Sequence, residues 1–166
     1  MPLRLIVTNT IIIFIHLISA AIAVGSLVFA VLLYLPRMEN PKASENLDEN
    51  SVSYKALDIL APTVFSSVLM LIGTGIYFLL ENYSAQVGLK PGYYNLFGVK
   101  MIFVIAAFFL SGYQTFTLRG RIANLDLSPE KRELVPATLG TMKKTSHINL
   151  ALIMAAVFLG IWLARY

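Results

Sequence analysis

The sequence predicts an all-α integral membrane protein: an antiparallel, up-down four-helix bundle that forms a single transmembrane domain over residues 1–166. Two observations lead to this prediction. The chain is 57% hydrophobic and 13% charged, with a mean hydropathy of +0.73, whereas soluble domains carry about 25% charged residues. The apolar residues also gather in four runs of helix length, and about 20 such residues cross a bilayer as an α-helix.

The four predicted spans are separated by polar loops, of which the longest cover 35–59 and 118–146. Each span is longer than the roughly 10 residues of an outer-membrane barrel strand. The first span follows Arg4 and contains an Ala-x-Ala sequence like a signal-peptide cleavage site, but its apolar run continues well beyond that point. We therefore expect an uncleaved anchor. The predicted spans are 8–34, 60–80, 96–117 and 147–164.

Four crossings place both termini on one side of the membrane, together with the loop at 82–95; we call this side A. The two long loops share the opposite side, side B. Side B carries nine of the 13 basic residues, and side A carries four. The positive-inside rule then predicts cytoplasmic long loops and periplasmic termini in a bacterial inner membrane. The nine are Arg37, Lys42, Lys55, Arg119, Arg121, Lys131, Arg132, Lys143 and Lys144.

His16 lies inside the first apolar run, where a titratable group is costly and points to a function. Ser19, Ala20 and Ala23 lie near the same helical stripe, and small residues allow a neighbouring helix to approach, so this stripe is predicted to face the bundle interior. The alternative is a histidine that only makes a hydrogen bond within the bundle. Gly25 falls on the opposite face and could contact another subunit.

The second span carries a polar stripe at intervals of three and four residues, which predicts a face directed into the bundle. Within it, Met70 is either a soft ligand for Cu(I) or a gap-filling core residue. The stripe contains Thr63, Ser66, Ser67, Met70, Thr74, Tyr77 and Glu81.

Lys100, near the start of the third span, either snorkels to the headgroups or turns inward to hold a carboxylate or a heme propionate. His16, Lys100, Tyr77 and Glu81 all belong to the side A half of the bundle, which predicts a cofactor site built from these four. For a copper ion, the predicted ligands are His16, Met70 and Met101.

The second histidine, His147, is predicted at the side B end of the fourth span. Two histidines that ligate one heme iron must place their nitrogens within about 4 Å of each other, on either side of the metal. His16 is about 12 Å below the side A end of its helix, so the two should differ in depth by roughly 15 Å. We therefore predict that they do not share an iron.

Several classes of function are excluded by the composition. With no cysteine, the chain has no disulfide, thiolate metal site or cysteine-bound iron–sulfur cluster. Its basic residues lie in loops and form no arginine-rich surface for nucleic acid. No hydrolase triad, phosphate-binding loop, dinucleotide fingerprint or zinc-protease motif is present. An enzymatic activity is therefore not predicted.

Three segments of the chain resemble the copper-resistance protein D (CopD) family. HLISAAIAVG at 16–25 is similar to the family's helical histidine followed nine residues later by glycine. LAPTVFSSVLMLIGTGIYF at 60–78 resembles its serine-rich span with a threonine–glycine pair, and NLFGVKMIFV at 95–104 its aromatic-glycine turn before a lysine. The resemblance implies a membrane bundle that handles copper at the periplasmic side.

A weaker resemblance links the chain to HemJ-type protoporphyrinogen oxidases, which are small four-helix membrane proteins. His16 and Lys100 are similar to the first-helix histidine and third-helix lysine that these proteins place at a heme or porphyrin, and Leu35-Pro36-Arg37 also resembles that group. This resemblance implies a heme or porphyrin site at the same two residues.

Together these observations predict a CopD-like membrane protein with a heme b or copper site in the outer half of the bundle. It would work in metal or heme handling or in membrane electron transfer. Two alternatives remain: a cofactor-free accessory subunit of a larger respiratory or photosynthetic complex, and a HemJ-like protoporphyrinogen oxidase. The expected partners are the lipid bilayer and either other membrane subunits or further copies of this chain.

Overall fold

The computed structural model describes residues 3–38, 52–84, 92–126 and 134–165, and it confirms the predicted all-α four-helix bundle. Helix α1 consists of Leu3–Phe29, a π-helical turn Ala30–Tyr34 and Leu35–Met38. Helix α2 is Val52–Ser84. Helix α3 consists of Tyr93–Gly112, a second π-helical turn Tyr113–Leu118 and Arg119–Asp126, and helix α4 is Val135–Arg165.

The four helices form a ring in which each packs against its two neighbours along the chain, and α4 closes the ring against α1. The closest pairings are α1 with α2 and α3 with α4. Successive helices joined by short connections run antiparallel, which brings both described ends of the chain to side A. The start of α3 is set by Gly92, whose φ of 93° is accessible to glycine at little cost.

The helices extend further toward side B than hydropathy predicted, so much of the predicted loops 35–59 and 118–146 is helical. Helix α4 begins at Val135 rather than at residue 147. Its added segment contains Lys143 and Lys144 and is more polar than the rest of the helix, but Val135, Leu139 and Met142 recur at helical spacing and pack against α3. An amphipathic extension therefore continues the bundle beyond the most apolar part of each span.

Pro62 lies in the interior of α2. The sequence places it in the first turn of a helix, but α2 begins at Val52, so Pro62 lies in the helix interior. A proline there leaves the carbonyl four residues earlier without its usual donor. That carbonyl belongs to Asp58, and Arg119 of α3 donates to it at 3.5 Å while also pairing with the Asp58 carboxylate.

Two apolar cores hold the bundle together. The mid-bundle core consists of Ala23, Leu27, Val64, Val68, Ala107 and Ile153. The side B core is larger and consists of Tyr34, Leu35, Met38, Leu57, Ala61, Leu118, Ile122, Val135, Leu139 and Met142. Because the second core draws on all four helices, it fixes their arrangement at side B.

The outer surface of the bundle is apolar. Phe116, Phe109 and Leu32 are 71%, 69% and 66% exposed. Each of the four helices is long and apolar enough to cross a membrane, and at most 17% of its most apolar window is buried inside the bundle. Such a surface is stable in lipid and costly in water. The protein is therefore a multi-pass membrane protein whose outer faces contact the bilayer.

Candidate cofactor cavity

A cavity of about 280 Å³ lies between all four helices, next to the mid-bundle core and closer to side A; we call it the inner cavity. Its wall contains two titratable side chains, His16 of α1 and Lys100 of α3, and is otherwise apolar. Small residues on the four helices leave this space open, because short side chains cannot fill the distance between neighbouring helices. They are Ala20, Gly75, Ala107, Ala156, Gly160 and Ala164.

A second space of about 250 Å³, the outer chamber, adjoins the inner cavity toward side A. Tyr93, Tyr94 and Phe97 at the start of α3 line its wall, and the rings of Tyr93 and Phe97 stack with centroids 6.4 Å apart. The two spaces share lining residues from every helix and so lie next to each other. The shared residues are His16, Gly75, Phe97, Lys100, Gly160 and Ala164.

The orientation of His16 is fixed by Thr74 on α2. The Nδ1 atom of His16 is 2.6 Å from the Thr74 hydroxyl oxygen. That hydroxyl lies 2.7 Å from the carbonyl of Met70 and 3.2 Å from that of Leu71, both of which can only accept. The hydroxyl has a single proton, which we assign to the hydrogen bond with the backbone; the imidazole then donates from Nδ1 to Thr74.

This assignment determines what His16 can offer to a ligand. With the proton on Nδ1, the neutral ring has its lone pair on Nε2, which makes no hydrogen bond with any described residue. Phe78 packs edge-on against the ring, with centroids 6.4 Å apart, and limits its rotation. A histidine held by one nitrogen and free at the other is the usual arrangement of an imidazole ligand to a metal.

Lys100 lies inside the bundle, where it lines both spaces beside His16. Its ammonium packs over Gly160 of α4, where a Cβ atom would be 3.3 Å from Nζ. Among the described residues it has no hydrogen bond and no carboxylate partner. A cation in an apolar wall without a counter-charge is costly, so this site favours an anionic group in the cavity.

The predicted copper ligands do not come together as a set. Met101 lines the inner cavity with His16, whereas the Met70 side chain is 57% exposed and does not line it. The contribution of Met70 is its backbone carbonyl, which accepts from Thr74. Among the described residues, no group of three or more His, Cys, Asp or Glu side chains could hold a metal ion.

Tyr77 and Glu81, which we predicted beside His16 and Lys100, lie in a separate polar cluster and line neither space. Asn9 of α1 joins them: its amide donates to a Glu81 carboxylate oxygen at 2.7 Å, and its carbonyl oxygen accepts from the Tyr77 hydroxyl at 3.0 Å. The cluster fastens α1 to α2 closer to side A than His16. Its role at the cavity is therefore indirect, through the position of these two helices.

His147 also lies away from the cavity. Its side chain is exposed, and its Nδ1 is 2.9 Å from the carbonyl of Lys143 in its own helix. Gly160, which is level with His16 at the cavity, follows His147 by thirteen residues on α4, a rise of about 20 Å. In this arrangement the two histidines are far apart along the bundle.

Two residues of the site were missed at the level of sequence. Thr74 appeared only as one member of a polar stripe, and Gly160 did not stand out in an apolar helix. A signal for Thr74 was present, because a threonine in a membrane helix commonly bonds its own backbone and can then accept from a neighbour.

Comparison of the chain with known protein-family models, with curated proteins and with solved structures gives no match.

Proposed function

We propose that this protein is a CopD-like, membrane-embedded heme b protein that works in heme handling or membrane electron transfer. The observation that carries the proposal is that one apolar cavity contains both Nε2 of His16 and the ammonium of Lys100, neither of which has a partner among the described residues. Heme b combines the matching features: an iron that accepts an imidazole nitrogen, an apolar ring, and carboxylate groups that suit a cation.

The charge of the cavity favours heme over a copper ion. Lys100 lines the cavity beside His16 and has no carboxylate partner among the residues that the structure describes, so a bare metal cation there would add positive charge in a medium of low polarity. Heme carries its own carboxylates and therefore relieves this unfavourable charge. Copper would also need further ligands, of which Met101 is the one that lines the cavity.

The chain's own residues have distinct roles in this proposal. His16 would offer Nε2 to the iron, and Thr74 would keep the ring in the required tautomer. Lys100 would pair with a propionate, and Ala20, Gly75 and Gly160 would make room for the ring. The two spaces adjoin, so a flat ligand could extend through both. When bound, heme b supplies one-electron chemistry.

The test is an optical titration of the purified protein with hemin, together with the absorption spectrum of protein isolated from heme-sufficient cells. We expect a Soret band in the wild type and its loss in His16→Ala. The matched control is His147→Ala, which removes the chain's other histidine from an exposed position. Lys100→Gln should weaken heme binding about tenfold, since one charge-assisted contact is lost.

Three results would contradict the proposal: no heme bound by the wild type, equal binding by His16→Ala, or loss of binding in His147→Ala alone. Elemental analysis of the same samples tests the copper form of the hypothesis. Copper retained by the wild type and lost in His16→Ala and Met101→Leu would replace heme with a His–Met copper site.

A cofactor-free accessory role is the second candidate, and Gly25 favours it. This glycine lies on an exposed face of α1, and a Cβ atom placed there meets nothing within 4 Å. Such a face admits a helix of another subunit or of a second copy. If co-purification of membrane subunits is lost in Gly25→Leu but survives in His16→Ala, the accessory role is supported and is independent of the cavity.

We also propose that side B faces the cytoplasm of a bacterial cell, which leaves both termini in the periplasm. The support is the distribution of basic residues, nine of which belong to the side B segments. The cavity would then open toward the periplasm. The test is a C-terminal fusion to a reporter enzyme that is active only in the periplasm. We expect activity, and an inactive fusion that is active in a cytoplasmic reporter assay would reverse the orientation.

A further inference from the structure

Another cavity lies between α3 and α4 near side B and shares no lining residue with the inner cavity or the outer chamber. We call it the side B groove. Its volume is about 510 Å³, and it opens widely onto the surface of the bundle. The groove falls where α3 and α4 run beyond their most apolar segments, so it lies at the depth where a membrane changes from hydrocarbon to headgroups.

The groove changes in polarity along its length. Tyr113 and Thr141 line its deeper end, Leu118 and Ala137 follow, and Arg121 lies at its side B end. From residue 113 to residue 121 the helix rises about 12 Å, which is the scale of a partly extended acyl chain. The hydroxyl of Thr141 donates to the carbonyl of Ala137 in its own helix. It therefore adds no free donor to the groove.

Arg121 is exposed, and it makes no hydrogen bond or ion pair with a residue that the structure describes. Arg119, two residues earlier, differs in this respect: its guanidinium is 3.5 Å from the carboxylate of Asp58. The groove therefore ends in a guanidinium that has no partner among the described residues, and such a group forms strong paired hydrogen bonds with phosphate. The segment 118–146, which contains most of the residues that line the groove, carries six basic and three acidic residues, and its net positive charge attracts anionic lipid.

We propose that the side B groove is a binding site for one anionic phospholipid. The phosphate of the lipid pairs with Arg121, and an acyl chain lies along Leu118 and Ala137 toward Tyr113. A basic residue above an apolar groove between two helices matches both parts of this ligand, the charged headgroup and the chain. The site is independent of the proposed heme site, because the two share no residue.

The test is native mass spectrometry of the full chain in detergent, with added phosphatidylglycerol or phosphatidylcholine of the same acyl chains. The wild type should retain one phosphatidylglycerol and bind it about fivefold more tightly than phosphatidylcholine, since one basic residue at an interface strengthens binding of an anionic lipid by about fivefold. Arg121→Gln should abolish the preference. Arg119→Gln removes the same formal charge from the same helix but should retain it. Ala137→Phe should fill the groove and reduce lipid retention with all charges intact.

Each result decides the proposal. Equal retention of the two lipids by the wild type would overturn it, because the groove would then take any apolar molecule. Equal losses in Arg121→Gln and Arg119→Gln would assign the preference to net charge and not to the groove. Full retention by Ala137→Phe would place the lipid elsewhere on the surface. A thermal unfolding curve of each variant separates loss of the site from loss of the fold.

Discussion

The two halves of the bundle are built from the same four helices and differ in how they fill the space between them. At side B, large residues such as Leu35, Leu118 and Ile122 are each only 1% exposed and close the interior. At side A, small residues leave an apolar cavity instead. The cations differ as well, since Arg119 at side B has a carboxylate partner and Lys100 in the cavity has none that the structure describes.

This difference indicates a division of labour. Close packing gives a bundle most of its stability, because each buried side chain makes many dispersion contacts. A cavity loses those contacts, and this one also contains the ammonium of Lys100, which has no partner in the described part of the chain; both features lower stability. A protein that keeps such a cavity beside a well-packed core therefore needs the packed half to hold the helices together around the open half.

The largest expected effect is on stability, and it tests whether side B is the stabilising half. Leu35→Ala should lower the free energy of unfolding by about 2–5 kcal/mol, because the residue is almost fully buried and its neighbours cannot collapse completely. Leu17→Ala, at a residue that is 63% exposed and lines the inner cavity, should cost less than about 1 kcal/mol. Reversible unfolding in mixed micelles measures both free energies, and equal losses would contradict the claim that side B is the stabilising half.

The next effect concerns Thr74 and sharpens the description of the side A half. Thr74→Val keeps the shape of the side chain but removes the acceptor of His16 Nδ1. Heme affinity should fall by about 10-fold to 100-fold, as is usual when the partner of a metal-binding histidine is lost. Thr74→Ser should restore it. Thr63→Val is the control, since its hydroxyl only donates to the Ile59 carbonyl of its own helix; an equal loss there would assign the effect to α2 in general.

Gly160 provides a smaller test of the same cavity. A Cβ atom at this position would lie 3.3 Å from Nζ of Lys100, so Gly160→Ala must displace the ammonium. Because a lysine side chain can adjust, the loss of binding free energy should be about 1 kcal/mol, which is about fivefold in heme affinity. Gly73→Ala is the control, since it adds a methyl group to a position of α2 that lines neither space and meets nothing within 4 Å, and it should leave affinity unchanged. The reverse order of effects in a hemin titration would contradict the role given to Lys100.

The smallest effect is expected at the ion pair of side B. Asp58→Asn should change the free energy of unfolding by less than about 1 kcal/mol, because both side chains are substantially exposed. That result would show that packing, and not charge pairing, sets the two halves apart. A loss comparable to that of Leu35→Ala would mean that the pair, together with the Asp58 carbonyl freed by Pro62, has a larger role than its exposure indicates.

Hydropathy was enough to predict the four helices, because their outer faces meet lipid and must be apolar. Position along the predicted spans also put His16 and Lys100 in the same half of the bundle, where both line the inner cavity. It could not predict which residues of α2 lie level with His16, since that depends on the sliding of two antiparallel helices. His16 meets Thr74, so Asn9, seven residues earlier, meets Glu81, seven residues later. Sequence alone did not give the contact between His16 and Thr74, and this one contact sets the alignment of α1 against α2.

Sequence could not reveal the extensions at side B for a different reason. Hydropathy averages over a window, and the start of α4 mixes Val135, Leu139 and Met142 with polar residues that face outward. The average is unremarkable although the buried face is continuous. Only the presence of α3 at the right distance shows that this face has a partner.

The two π-helical turns, Ala30–Tyr34 in α1 and Tyr113–Leu118 in α3, lie between the residues of these helices that line the cavity and most of those that form the side B core. Each such turn accommodates an extra residue within an otherwise regular helix. A helix rotates by about 100° per residue, so deleting one residue there would turn everything beyond it to a new face. An insertion or deletion at either turn would thus rotate the part of the helix that lines the cavity relative to the part that packs in the side B core. In both α1 and α3, the orientation of the cavity-lining face is therefore separate from the orientation of the core-facing segment.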